Sequence, residues 1–230
     1  MTKQSSPPLL DVDAVTFDVG NTLITPWPSV GHVYAEIAAR HGCVGATPEL
    51  LEARFQAVWP GRLHLAETRA GWQQVVDEVF DGLADAPPSR TFFGEIYQRF
   101  AQADVWRIYD DVLPALDQLS AQGLRLAVIS NWDERLRDVL RCLALDARFE
   151  TIVVSFEVGH AKPHPAIFAE ATARLGLPAN RILHIGDSAE ADLHGARDSG
   201  LQALQILRTA TEPGPDHLQS LLELRERLGP

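Results

Sequence analysis

The chain has 230 residues, enough for one core with an insert or for two small domains. Asp and Glu outnumber Lys and Arg by 31 to 20, a formal charge of −11. That balance argues against nucleic acid or an anionic membrane as a bulk partner, because a phosphate-tracking surface needs clustered cations. A small phosphorylated substrate stays open, since it needs only a local positive site.

Cys43 and Cys142 show no metal-type spacing and read as two free thiols of a reducing compartment. The opening MTKQSSPPLL lacks an apolar signal core, and no stretch is long enough to span a bilayer, so the expected location is the cytoplasm. Lysine occurs only at Lys3 and Lys162. A lysine that precedes proline in an arginine-rich chain calls for a reason.

Residues 1–12 read as a disordered lead-in with Ser5, Ser6, Pro7 and Pro8. An apolar run ending in Phe17 predicts a buried strand over about 13–18, and Asp18, Gly20, Asn21 and Thr22 follow at once. Pro26 and Pro28 around Trp27 mark an exit from the core. From about 29 to 107 the pattern holds no strand. It holds four helical stripes: Val30, Val33, Tyr34, Ile37 and His41; Leu50, Leu51, Phe55 and Val58 after a Thr47–Pro48 start; Trp72, Val75, Val76, Val79 and Phe80; and Phe92, Phe93, Ile96, Tyr97 and Phe100. They predict a small bundle, the aromatic stripe being bundle core or a dimer face.

Beyond Asp110–Asp111, read as an N-cap before Pro114, strand and helix alternate. Strands are expected over 124–129, 151–154, 181–185 and 201–207. Helices are expected from Asn131, after Lys162 until Gly176, up to about Ser199, and from about 216 to the end. The alternation predicts an α/β fold: a Rossmann-like parallel five-stranded sheet core over 1–25 and 108–230, with an all-α helical bundle inserted at 26–107. Neither G-x-G-x-x-G after the first strand nor a P-loop is present.

In open α/β sheets ligands bind at the carboxyl ends of the strands. Asp18, Ser130 and Asp187 are expected there. A carboxylate such as Asp18 can attack phosphorus and split one displacement into two. It then meets an anion, and a hard cation relieves the repulsion. Mg²⁺ takes one or two carboxylates with phosphate oxygens and waters. Asp187 is the natural second carboxylate, on a tight turn made by Gly186, and Asp192 fits a direct or supporting place. The plainer alternative is two acids favouring a helix N-terminus. Lys162 fits as a point charge toward nucleophile and phosphoryl group. Ser130 and the Asn131 N–H fit a phosphoryl oxygen at a helix start, although Ser130, Asn131 and Asp133 also read as a simple cap. Thr22 would hydrogen-bond near Asp18, or make an ordinary turn. His160, His164 and His184 read as structural. Trp27, Arg62 and Trp132 are candidates for substrate contact.

FDVGNTL, VISN, KPHPAIF and HIGDSAEADLHGA, in that order along nearly the whole chain, resemble the four motifs of the haloacid dehalogenase superfamily. The pattern is most similar to its hydrolases with a helical cap inserted after the first motif, including the group named domain-containing protein 3. The resemblance implies a hydrolase with Asp18 as nucleophile and Thr22, Ser130 and Lys162 in catalysis. It implies phosphate held by Ser130, Asn131 and Lys162, and Mg²⁺ held by Asp18, the Gly20 carbonyl, Asp187 and Asp192. The inserted bundle would be a cap that closes over the first motif. One position departs. Family phosphatases carry a second Asp two residues after the nucleophile, as general acid and base, and here that residue is Gly20. Losing such a group costs about 10²–10⁴ in rate. Three readings follow: a weak or specialised Mg²⁺-dependent phosphatase of a small metabolite; a metal-independent 2-haloacid dehalogenase, against which Asp187 counts; and a decayed metabolite-binding protein. The phosphonate-cleaving branch needs a cap lysine, and 26–107 contains none.

Overall fold

The computed structural model describes residues 9, 11–62, 65, 67–209 and 214–228. The expected lead-in falls mostly outside them. In chain order the elements are β1 (Ala14–Phe17), β2 (Ile24–Pro26), α1 (Val30–Arg40), α2 (Pro48–Val58), α3 (Arg69–Val79), α4 (Phe93–Arg99), β3 (Trp106–Ile108), α5 (Val112–Ala121), β4 (Arg125–Ser130), α6 (Leu136–Cys142), β5 (Thr151–Val154), α7 (Ser155–Val158), α8 (Pro165–Leu175), β6 (Ile182–Gly186), α9 (Gly195–Asp198), β7 (Gln202–Ile206), β8 (His217–Leu218) and α10 (Leu224–Leu228). Their contacts fall into two units. One takes the residues up to Ile24, Ile108–Asn131 and those from Leu145 on; the other takes Thr25–Arg107 and Trp132–Ala144. The segment 132–144, assigned to the core from sequence, groups with the helical unit.

The first unit is built on a parallel sheet in the order β5-β4-β1-β6-β7-β8. β1 is buried along its whole length, as a central strand covered on both faces must be, and Thr16 is its one polar residue. Five strands were expected. The sixth, β8, pairs only Gln205↔His217 and Ile206↔Leu218, too short for any periodicity. It interrupts the single tail helix expected from 216. There Ser220 and Glu223 form a capping box, and α10 starts only at Leu224. Asp111 stands at the N-cap of α5 but gives α5 no side-chain bond. Its carboxylate accepts instead from Arg208, Ser220 Oγ (2.9 Å) and Leu221 N–H (2.7 Å), groups about 100 residues away.

The second unit holds α1–α4. Ser29, Thr47 and Thr68 cap α1, α2 and α3 by accepting backbone N–H bonds. Tyr34, Ile37, Leu51, Val75, Val79, Phe80 and Ile96 form its core. His41 and Leu50, placed on buried stripes from sequence, are exposed. The chain's exit and return pair as a two-stranded ribbon, β2 with β3, so the inserted region is not free of strands; three-residue strands leave no periodic trace. The helix expected from Asn131 begins five residues later, at Leu136. The intervening loop buries an ion pair: Arg135 Nε lies 2.9 Å from Asp133 Oδ1, and Arg135 NH1 donates to Tyr97 O at 2.8 Å. The guanidinium stacks 3.6 Å above the Tyr97 ring. It edges an aromatic cavity of ≈ 70 Å³ walled also by Trp72 and Trp132. Among the described residues no helix is long and apolar enough to cross a membrane.

Candidate active site

Parallel strands deliver whatever follows them to one edge. Phe17 is level with Val128 of β4 and Ile185 of β6, so Asp18, Ser130 and Asp187 emerge together at the C-terminal edge of the three central strands. Asp18 N–H donates to Ile185 O at 2.8 Å, and the chain then folds back as Leu23 and Ile24 donate to Val19 O. Asn21 adopts φ +54° in this loop, a conformation Asn reaches more readily than most residues.

Asp18 is nearly buried. Both of its side-chain hydrogen bonds fall on Oδ1, from Ser130 Oγ at 2.9 Å and Lys162 Nζ at 2.8 Å. Lys162 lies between α7 and α8. Its ammonium also donates to Asp192 Oδ1 (2.6 Å) and Ile129 O (2.8 Å). Asn131 holds the lysine backbone in two bonds: its Oδ1 accepts from Lys162 N–H at 2.7 Å, and its Nδ2 donates to Lys162 O at 2.9 Å.

Asp192 lies in a π-helical stretch, Ala189–His194, that precedes α9; a plain helix was expected there. The wider turn carries the Asp192 carboxylate back over Gly186. A Cβ on Gly186 would stand 2.1 Å from Asp192 Cγ, so only glycine admits this return. Asp192 Oδ2 accepts from Ser188 N–H at 2.9 Å. Asp187 is the least partnered of the three acids: Asn21 Nδ2 donates to its Oδ2 at 3.3 Å, and Gln205 secures its backbone carbonyl at 2.7 Å.

Three carboxylates against one ammonium leave two negative charges if all ionise. The carboxyl groups respond unequally. Burial pushes Asp192 up, but the Lys162 ammonium and the His184 bond prevail and hold it below the usual range. Burial would lower Lys162, yet Asp18 and Asp192 raise it. Asp18 is raised by burial, against Lys162. Asp187, pushed by burial and then by Asp18 and Asp192, rises to about 7. One oxygen from each of Asp18, Asp187 and Asp192 falls within a 4.8 Å span. All-oxygen donors with two uncompensated charges and one hard-to-ionise acid suit a hard divalent cation.

Most of the predicted residues meet, but not all in the predicted way. Thr22 is buried beside the loop, its Oγ1 without a hydrogen-bond partner, and it holds nothing near Asp18 by its side chain. Its carbonyl accepts from Arg208 NH2 at 2.6 Å. The helix start proposed for Ser130 and Asn131 is absent, because α6 begins at Leu136. His160 and His164 stack on each other, exposed. Arg62 pairs with Glu78, and half-exposed Trp27 lies under the Arg107 guanidinium. Sequence reasoning read His184 as structural, Asn21 only as a turn residue, and gave Thr16 no role. The one signal was a histidine inside an otherwise apolar strand.

This geometry defines a parallel α/β core that gathers three acids and a lysine at the carboxyl edge of its central strands. A haloacid dehalogenase-like hydrolase family model matches residues 12–200. Haloacid dehalogenase-like hydrolase domain-containing protein 3 of Danio rerio is 31% identical, with 93% of this chain and 95% of the relative covered. A glyceraldehyde 3-phosphate phosphatase of Methanopyrus kandleri is 29% identical, covering 86% of this chain and 84% of that protein. The crystal structure of L-2-haloacid dehalogenase from Xanthobacter autotrophicus shares the fold, with a TM-score of 0.74 at 16% identity over 93% of this chain and 96% of that one. The chain belongs to the haloacid dehalogenase-like hydrolases.

Proposed function

We propose that the protein is a Mg²⁺-dependent phosphatase of a small phosphorylated metabolite, working through an aspartyl-phosphate on Asp18. The reading rests on the division of labour between the oxygens of Asp18. Ser130 and Lys162 both bind Oδ1, which leaves Oδ2 for attack. An Oδ2 lone pair forms a bond to phosphorus as the bond to the ester oxygen breaks. Water then displaces Asp18 and releases phosphate. Ser130 and Lys162 orient the carboxylate, and Lys162 presents a fixed charge to the transferring group. Asn131 keeps the Lys162 backbone in place, and its N–H is a candidate phosphate donor. Asp18, the Gly20 carbonyl and Asp187 would hold Mg²⁺, with Asp192 beside them; bound there, the ion supplies charge neutralisation between carboxylate and phosphate.

Gly20 brings no acid to the leaving group. Turnover should therefore depend steeply on leaving-group acidity, with aryl phosphates well ahead of alkyl ones. The same reading takes a cytoplasmic location and no nucleic-acid or membrane partner. Asp187 favours it over dehalogenation, which dispenses with a metal. Phosphate release from an aryl phosphate, with and without Mg²⁺ and beside Asp18→Asn, tests it. Metal-dependent release that disappears in the variant is expected, and Gly20→Asp should then raise the rate on alkyl phosphates by up to about 10²–10⁴. Release that survives in Asp18→Asn would overturn the nucleophile, and absence of any release would turn the search to halide release. Small sugar phosphates, suggested by the archaeal relative, are the first metabolites to try.

A further inference from the structure

We propose that His184 is a positioning residue for Lys162, acting through Asp192, and that Thr16 secures the tautomer in which it acts. The proposal rests on the reading of Lys162 as the cation that serves Asp18. Thr16 and His184 are register partners on adjacent parallel strands, so their side chains rise on one face of the sheet. Both are fully buried, and Asp192 nearly so. Thr16 Oγ1 lies 2.9 Å from His184 Nδ1, and His184 Nε2 lies 3.1 Å from Asp192 Oδ1. Phe168 meets the imidazole edge-on, ring centroids 5.6 Å apart.

The hydrogens follow from the chemistry. An ionised carboxylate only accepts, so Nε2 carries the hydrogen toward Asp192. Fully buried and sharing Asp192 Oδ1 with the Lys162 ammonium, the ring is neutral. Nδ1 is then a lone pair, and the Thr16 hydroxyl donates to it. The opposite tautomer would turn a lone pair against the carboxylate, so Asp192 selects the tautomer and Thr16 secures it. With it, Asp192 is pinned at both oxygens, by His184 and Lys162 on Oδ1 and by Ser188 N–H on Oδ2. Lys162 has three hydrogens and three acceptors: Asp192, Asp18 and Ile129 O. Its charge stands where Asp192 holds it. A run of buried hydrogen bonds thus reaches from the interior of β1 to the proposed nucleophile at the end of the same strand.

The chain itself supplies a probe, since Lys3 and Lys162 are its only lysines. Full-length protein labelled with ¹⁵N-lysine gives at most two ammonium resonances, and Lys162→Arg assigns the one that matters. Shift and hydrogen exchange are read without Mg²⁺ or substrate. Asp192→Asn is the control for a lost partner. His184→Leu should move the Lys162 resonance and speed its exchange about tenfold or more, the scale of one hydrogen bond to a charged group. His184→Gln, whose amide can donate from the place of Nε2, should recover most of that loss. Thr16→Val, close in shape, should fall between them. A folded His184→Leu with the wild-type resonance and exchange would overturn the proposal, as would His184→Gln behaving like His184→Leu. Should His184→Leu fail to fold, unchanged exchange in both Thr16→Val and His184→Gln overturns it instead. Because no turnover enters the measurement, an inactive wild type would defeat the phosphatase reading while the expected shifts still held.

Discussion

Asp187 carries the least compensated charge of the site. An ordinary aspartate titrates near 4, and burial with Asp18 and Asp192 nearby lifts Asp187 to about 7. The folded state therefore binds a proton more tightly than the unfolded one between those values. Its contribution to stability is fully present below about pH 4 and is lost as pH rises through about 7. Asp192 has the opposite sign: its carboxyl is held low, so its contribution is lost at acid pH. Melting temperatures of metal-free protein should accordingly fall between pH 5 and pH 8 by more than in Asp187→Asn, where that slope flattens. Bound as proposed, Mg²⁺ would displace the same proton. Its stabilisation should weaken below pH 7, by up to about one decade of affinity per pH unit, and should vanish in Asp187→Asn. Parallel melting profiles for the two proteins would refute both statements.

At the scale of elements, the loop before α6 shows how a partner far away displaces a local preference. Ser130, Asn131 and Asp133 resemble a helix start, yet Asp133 is fully buried and turned to Arg135, whose NH1 reaches Tyr97 O, 38 residues back. Removing one member of a buried pair leaves an uncompensated charge. Arg135→Met should cost about 3–5 kcal/mol in urea unfolding, and Asp133→Asn added to it should recover a good part. Equal stabilities of the single and double variants would show that packing on Tyr97, not charge, is what the arginine contributes. The π-helical turn before α9 is a second such case. Its width carries Asp192 back over Gly186, and π-turns of this kind recur at functional sites.

For the whole molecule, the helical unit is not one uninterrupted insert. The chain passes between the units at 24/25, 107/108, 131/132 and 144/145. Trp132 and Arg135 wall the aromatic cavity of the helical unit, so residues 25–107 alone lack part of their own core. That fragment should show no cooperative thermal transition by circular dichroism, whereas the full chain should. A sharp transition in the fragment would mean that α1–α4 are self-sufficient.

The apolar runs, the helical stripes of 30–100, the Thr47–Pro48 helix start, and the order of Asp18, Ser130, Lys162 and Asp187 were legible from the chain alone. Each depends on neighbours within a turn or a strand, where periodicity and side-chain chemistry act directly. Parallel crossover topology then places the acids on one edge almost automatically. The tertiary structure decided the rest: which oxygen of Asp18 is occupied, the Asn131 clamp on Lys162, the silent hydroxyl of Thr22, the late start of α6, and the Thr16–His184–Asp192 relay. Thr16 and His184 are 168 residues apart. Their bond exists because β1 and β6 lie side by side in one register, and register between distant strands is settled by packing of the entire core rather than by any local pattern.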